Sequence, residues 1–323
     1  MNTQYDIIII GGGPMGIATA IEAKKKNFDA LILERGVLVN SLYNFPDEMT
    51  FFSTSRRLEI GDVPFMSLNE KPTRDESLEY YRRVVEKWNL AIHTHEKVNN
   101  VKTDESGFLV TTDGHSYTCK YLVVATGFYS TEKKLNIPGE ELPKVSHYYE
   151  NAHKYFGKKV AVIGGGNSAA QVALDLYHKG IDTTIIVRAS SLKKQVKYWI
   201  KPNIENRIEE GSVASYFNAE VTEIHHNQLQ IEQEGKSVQI ENDFVLAMIG
   251  YKPDYDFLST IGITNCNDEF KTPKYDTQQH TNIENVYLAG VVCGGLKTSR
   301  FMIEDSIVHA EYIMDDIEKK ENL

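Results

Sequence analysis

Residues 5–16 read Tyr5-Asp6-Ile7-Ile8-Ile9-Ile10-Gly11-Gly12-Gly13-Pro14-Met15-Gly16. Four successive isoleucines show no two-residue alternation, as expected of a strand buried on both faces of a parallel sheet. The run breaks onto Gly11-x-Gly13-x-x-Gly16 and continues into residues 17–26, a helix with alanines on its packed side. Ala30-Leu31-Ile32-Leu33-Glu34 is the next strand. Strand, glycine turn, helix and strand within about 30 residues make a βαβ unit, right-handed by default. The glycines permit a tight turn and let a pyrophosphate approach the helix N-terminus. Glu34 closes the second strand 23 residues after Gly11, where a carboxylate accepts hydrogen bonds from a ribose diol. Gly11, Gly13, Gly16 and Glu34, with Pro14 and Met15 inside the turn, therefore suit a dinucleotide with free ribose hydroxyls, such as FAD.

The pattern restarts with a period near 153 residues. Lys158-Lys159-Val160-Ala161-Val162-Ile163 is a strand, Gly164-Gly165-Gly166-Asn167-Ser168-Ala169 a turn, residues 170–179 a helix and residues 183–188 a strand. Here the position 23 residues after Gly164 is Val187, and Arg188 follows it. An arginine accommodates a 2′-phosphate that a carboxylate would repel. Lys193 and Lys194 add positive charge. The second loop, through Gly164, Gly166, Asn167, Ser168, Ala169, Arg188, Lys193 and Lys194, thus suits NADPH. Two such sites in one chain imply a relay from NADPH to flavin and onward, with the flavin supplying the redox chemistry.

Between the repeats, residues 44–65 are aromatic and irregular, and a helix is expected over about 75–88. Alternating stretches at 97–102, 107–112 and 115–119 read as an antiparallel excursion, and residues 121–127 as another buried strand ending on Gly127. Short strands are expected over 213–241, then at 244–249. Residues 285–290 form a strand leading to a helix over about 299–318. Glycine and proline cluster at 128–138 and 250–253, the favoured domain junctions.

The 323 residues suit about two domains. Apolar residues make up 41% and charged residues 25%, which excludes wholesale disorder. Against 45 Asp and Glu stand 35 Lys and Arg, a formal charge of −10 that disfavours a nucleic-acid partner. No apolar run approaches a membrane span, and the N-terminus lacks a signal-peptide pattern, so a cytoplasmic chain with no membrane partner is expected. Cys119, Cys266 and Cys293 are widely spaced and contain no Cys-x-x-Cys, against both a disulfide framework and a zinc site. The ten histidines suggest no metal site, and His93/His95 and His225/His226 fall in strand-like stretches.

The two glycine motifs, Ala125-Thr126-Gly127, and Asn285-Val286-Tyr287-Leu288-Ala289-Gly290 before a final helix resemble the low-molecular-weight thioredoxin-reductase-like flavoproteins over essentially the whole chain. That resemblance implies an α/β fold of two Rossmann-like, three-layer domains, usually in a homodimer. An FAD domain, residues 1–128 and 251–323, would be split around an inserted NADPH domain, residues 129–250. Ser41-Leu42-Tyr43-Asn44-Phe45-Pro46, Thr50-Phe51-Phe52-Ser53, Ile60-Gly61-Asp62-Val63-Pro64-Phe65 and Ala247-Met248-Ile249-Gly250-Tyr251-Lys252-Pro253-Asp254-Tyr255 are similar to the YpdA-type bacillithiol-disulfide reductases. This implies that residues 50–53, with Phe52 and Ser53, lie along the flavin and Tyr129 near its open face. It also implies that Ala125, Thr126, Gly127 and Gly290 contact the flavin, and that the acceptor is a small-molecule disulfide or a small redox protein.

Three departures bear on mechanism. The region matching the thioredoxin-reductase Cys-x-x-Cys, residues 147–151, has no cysteine. Many YpdA-type members carry a cysteine in the first glycine loop, where this chain has Met15, and a thioether cannot act as a thiolate nucleophile. Val291 stands where thioredoxin reductases usually place an aspartate against the flavin ribityl chain. Cys293, beside Gly294 and Gly295, is then the remaining candidate redox thiol, and disulfide turnover is expected to be slow unless it participates. A ferredoxin or flavodoxin reductase, a flavin monooxygenase and a non-enzymatic NADPH or redox sensor are the competing functions.

Overall fold

The structure, a computed structural model, describes residues 3–104 and 107–322. In chain order its elements are β1 (Thr3–Ile10), α1 (Pro14–Lys25), β2 (Ala30–Leu33), α2 (Asn40–Tyr43), α3 (Arg74–Trp88), β3 (Ala91–His93), β4 (Val98–Asp104), β5 (Gly107–Thr112) and β6 (Ser116–Val124). There follow β7 (Val145–Ser146), β8 (Lys159–Ile163), α4 (Asn167–His178), β9 (Asp182–Val187), α5 (Lys201–Glu209), β10 (Ala214–Phe217), β11 (Ala219–Ile224), β12 (Gln228–Gln233), β13 (Lys236–Glu241) and β14 (Phe244–Ala247). The chain ends with α6 (Tyr255–Ile261), β15 (Val286–Leu288), α7 (Ile303–Ser306) and α8 (Val308–Glu321). It divides into two compact units, Met1–Phe45, Met49–Thr131 and Tyr251–Leu323 in the first, Pro46–Glu48 and Glu132–Gly250 in the second.

The first unit is built on a sheet of order β3-β2-β1-β6-β5-β4, with β15 also on β6. The isoleucines of β1 explain why this sheet is central. Ile7 and Ile9 enter one core with Ile17 and Ile21 of α1 and Ile313 and Ile317 of α8. Ile8 and Ile10 enter the opposite core with Val101, Phe108 and Leu258. All four are buried, so every position of the strand leaves water and alternation has no reason to exist.

The stretches expected as separate strands, 115–119 and 121–127, are one strand, β6. One edge pairs in parallel with β1 along its length. The other edge is shared, with β5 antiparallel to residues 116–119 and β15 parallel to residues 122–124. Burial alternates in its first half and is continuous in its second, which divides the sequence pattern without breaking the backbone.

The second unit repeats the plan with a parallel sheet of order β10-β9-β8-β14-β7 and adds an antiparallel sheet, β11-β12-β13. Val160 and Val162 of β8 face the core under α4, and Ala161 and Ile163 face the core shared with Val221, Leu229 and Ile231. Pro46–Glu48 groups with this unit, against the expectation of an unbroken first segment. The Asp47 N–H donates to the Glu150 carbonyl at 3.0 Å, and the Asn151 amide donates to the Asp47 carboxylate at 3.0 Å.

Helices α5 and α6 escape the sequence pattern because each is short and buries little: Ile204 is the buried residue of α5 and Leu258 of α6. The expected helix at 299–318 begins at Ile303, with α7 and α8 separated at Ile307. No helix among the described residues is long and apolar enough to cross a membrane.

Helix α3 starts on a capping box. The Glu76 N–H donates to Thr73 Oγ1 at 3.3 Å, and the Thr73 N–H donates to the Glu76 carboxylate at 2.8 Å. Thr73→Ala removes one side of the box and is expected to cost about 1 kcal/mol, read as a lower urea midpoint; an unchanged midpoint would contradict the role of the cap.

Candidate active site

In the first unit, β1 delivers the chain to Gly11, whose φ is +112°; a Cβ there would stand 2.5 Å from the Ala125 carbonyl oxygen. A Cβ on Gly16 would stand 1.9 Å from the carbonyl oxygen of Gly11. Both positions are therefore closed to side chains by protein backbone. Gly13 differs: it caps α1 with φ −77°, and a Cβ on it would meet nothing within 4 Å. The open side of the turn lies at the middle glycine, over the first N–H groups of α1, as an approaching pyrophosphate requires.

Glu34 is buried just past the end of β2. Its carboxylate accepts from the Gly12 N–H at 2.7 Å and the Gly36 N–H at 2.8 Å. Each oxygen keeps a lone pair for a ribose hydroxyl while the side chain fixes the turn. A cleft beside it is lined by Gly11, Glu34, Arg35, Asn40, Ser41, Lys97, Thr126 and Gly127. Thr126 Oγ1 is buried with no hydrogen-bond partner among the described residues. An open cradle over a helix N-terminus, a carboxylate at the strand end and an orphaned hydroxyl in the same cleft fit an adenosine diphosphate moiety. Arg35 and Asn40 carry no distinguishing sequence pattern, and Lys97 reaches the cleft from beyond β3, a placement with no local signal.

The remaining residues expected around the flavin have distinct settings. Phe51 is core, and Phe65 stacks on Tyr80 at 4.2 Å, whereas Phe52 is 50% exposed. Ser53 is buried and donates to the Glu304 carboxylate. Tyr129 donates its hydroxyl to the Asn44 carbonyl at 2.9 Å and packs edge-on against Phe45. Val291 approaches Gly127, with Cγ2 3.8 Å from where a Cβ would stand.

Met15 is buried against Gly290: a Cβ on Gly290 would stand 2.7 Å from Met15 Cγ. The thioether thus fills the space between the first glycine turn and the turn after β15. Cys293 lies in that second turn, fully buried, with its thiol donating to Gln279 Oε1 at 3.4 Å. His309 Nδ1 is 4.0 Å from the sulfur but accepts from the Gly290 N–H at 3.1 Å. Burial pushes the Cys293 thiol well above its ordinary range and lowers the His309 imidazole to about 4. A neutral histidine occupied by a backbone amide is no base for this thiol, so Cys293 has the setting of a packed residue. Cys119 is also buried and pushed up to about 12, again by burial, and Cys266 is exposed.

In the second unit Gly164, at φ +135°, abuts the Met248 carbonyl oxygen, 2.4 Å from a Cβ position, and lies over the fully buried Ala169. Asn167 opens α4, but its side chain holds the following loop: its amide donates to the Gln195 carbonyl at 3.0 Å, and its oxygen accepts from the Lys197 N–H at 2.7 Å. Ser168 is exposed. Arg188, just past β9, and Lys193 and Lys194 are exposed, with no carboxylate in ion-pair contact among the described residues. This loop faces outward with positive charge where the first has Glu34. The described residues contain no cluster of ligands able to hold a metal ion.

Two such units in one chain define an oxidoreductase that handles a flavin and a nicotinamide nucleotide. The chain belongs to the pyridine nucleotide-disulphide oxidoreductase family, which matches residues 8–290, and within it to the Bdr (YpdA) reductases. It is 41% identical over 322 residues to the bacilliredoxin reductase Bdr of Bacillus subtilis (strain 168), covering 99% of both chains. Its structure matches the bacillithiol disulfide reductase Bdr (YpdA) from Staphylococcus aureus with a TM-score of 0.96 at 41% identity, covering 99% of each chain. The thioredoxin reductase of T. acidophilum shares the fold, with a TM-score of 0.78 at 22% identity over 98% of this chain and 100% of that one. The chain is an NADPH-dependent flavoprotein oxidoreductase, and its cofactors are FAD and NADPH.

Gly13 offers a clean probe of the first loop because the space its side chain would enter holds no protein atom. Gly13→Val is expected to fold with near-parental stability and to lose most of its flavin, measured as visible flavin absorbance per chain. Full flavin content in that variant would contradict the assignment.

Proposed function

We propose that NADPH on the second glycine loop reduces FAD on the first, and that a low-molecular-weight disulfide of the bacillithiol type is the acceptor. The observation that carries the division of cofactors is the opposite charge at matched positions of the repeats. Glu34 suits a ribose diol in one, and Arg188, with Lys193 and Lys194, suits a 2′-phosphate in the other. FAD, when bound, supplies the two-electron relay. In net terms NADPH and one proton convert one disulfide to two thiols and leave NADP⁺. The chain's residues bind and orient: the Gly13 cradle and Glu34 hold the adenosine end, and Thr126 presents an unpartnered hydroxyl in the same cleft.

The disulfide acceptor is supported by full-length relatives whose names are bacilliredoxin reductase and bacillithiol disulfide reductase. Exchange through a thiolate of this chain has no support at the first loop, since Met15 can pack but not exchange. Nor has it support at Cys293, which is sealed among Gln279, His309 and the β15 turn. The sulfur chemistry is therefore carried by the acceptor's own two sulfurs. A cytoplasmic setting follows from the use of NADPH, an intracellular reductant, and a homodimer from the likeness to thioredoxin-reductase-type flavoproteins.

Two measurements test this reading. NADPH is expected to reduce the flavin at lower concentration than NADH, and Arg188→Ala to weaken NADPH roughly tenfold while leaving NADH unchanged. Equal use of both nucleotides by the parent would sink the assignment. With bacillithiol disulfide as acceptor, NADPH oxidation is expected to persist at the parental rate in Cys293→Ser. Loss of turnover there with flavin retained would return Cys293 to the chemistry. Rapid flavin reduction without turnover of any disulfide would move the acceptor to a redox protein.

A further inference from the structure

Lys133 and Lys134 are neighbours with different partners. Lys134 Nζ lies 2.8 Å from the Glu132 carboxylate. Lys133 is partly buried, yet its ammonium has no ion pair or hydrogen bond among the described residues. Its backbone N–H donates to the Gly250 carbonyl at 3.0 Å. Gly250 lies two residues past Met248, whose carbonyl oxygen backs Gly164. Lys133 is therefore anchored at the carboxyl ends of β8 and β14, on the opposite side of the loop from Arg188, which follows β9.

Lys193 reaches the same mouth from the other direction. Its N–H donates to the Gly165 carbonyl at 2.8 Å, and its Cδ passes 3.9 Å from the point where a Cβ on Gly166 would stand. Burial first, and then the nearby Lys193 ammonium, push Lys133 below the ordinary lysine range. Two cations near each other with no carboxylate between them, in a chain of net charge −10, carry a repulsion that a bound anion relieves.

We infer that Lys133 grips the pyrophosphate of the nicotinamide nucleotide from the β14 side, while Arg188, on the β9 side with Lys193, reads the 2′-phosphate. This rests on the second glycine loop being the NADPH site. Position within the sheet sets the division of labour. Arg188 leaves the strand beside β8 at the place matched by Glu34 in the first unit, where a ribose substituent is read. Lys133 is anchored past the end of β14, the other neighbour of β8, with its ammonium near that of Lys193. The pyrophosphate is common to NADPH and NADH, so Lys133 adds affinity without discrimination.

Binding of the oxidised nucleotides NADP⁺ and NAD⁺ to the holoprotein, by titration calorimetry, tests this without turnover. Lys133→Gln is expected to weaken both about tenfold at an unchanged ratio, and Lys133→Arg to restore both. Arg188→Ala is expected to weaken NADP⁺ alone. A Lys133→Gln variant that weakens NADP⁺ only would make Lys133 a 2′-phosphate contact, and one that binds both nucleotides at parental affinity would remove it from the site; either overturns the inference. A parent holoprotein that binds neither nucleotide would overturn the assignment of the loop itself, and this inference with it.

Discussion

The arrangement of the first unit depends on how closely α1 meets the end of β1. A methyl group on Gly16 would stand 1.9 Å from the Gly11 carbonyl oxygen, so the helix can start there only if that position carries hydrogen. This approach sets the axis of α1 and leaves the first N–H groups of the helix facing the open side of Gly13. Helix α8 then packs on α1, with Lys26 bridging to Asp315 at 3.0 Å and to Glu318 at 2.5 Å. The second unit solves the same problem with slightly more room: Ala169 replaces the third glycine, and its Cβ lies 3.2 Å from the Cβ position of Gly164.

From that shared geometry the two sites diverge through charge alone. A glycine turn against a helix N-terminus attracts phosphate in either unit. The charge just past the second strand differs: a buried carboxylate held by two backbone amides in one unit, exposed cations in the other. Sulfur takes a minor part. Met15 fills a gap against Gly290, and Cys293 is enclosed with a neutral histidine. Neither sulfur has the setting of an exchanging thiolate.

Much of this can be read from the sequence because it is written locally. The isoleucine run, the first glycine spacing and Glu34 lie within one βαβ unit, and the second glycine spacing and Arg188 within another. The features that escape such a reading depend on partners far along the chain. The continuity of β6 is hidden because its outer edge changes partner midway. The grouping of Pro46–Glu48 with the second unit rests on hydrogen bonds to Glu150 and Asn151, about a hundred residues away. In sequence Lys133 is one of two adjacent lysines; its bond to the Gly250 carbonyl sets it at the end of β14, beside the strand that carries the second glycine turn. The burial of Cys293 likewise depends on His309 and Gln279, on either side of it in sequence.

If the two glycine loops hold different nucleotides, electrons pass from one nucleotide to the other within a single chain. Anaerobic stopped-flow mixing of the purified flavoprotein with NADPH, followed by a second mixing with bacillithiol disulfide, tests it most directly. The oxidised flavin absorbance is expected to fall with one equivalent of NADPH and to return on addition of the disulfide. A flavin that stays oxidised in the presence of excess NADPH would contradict it.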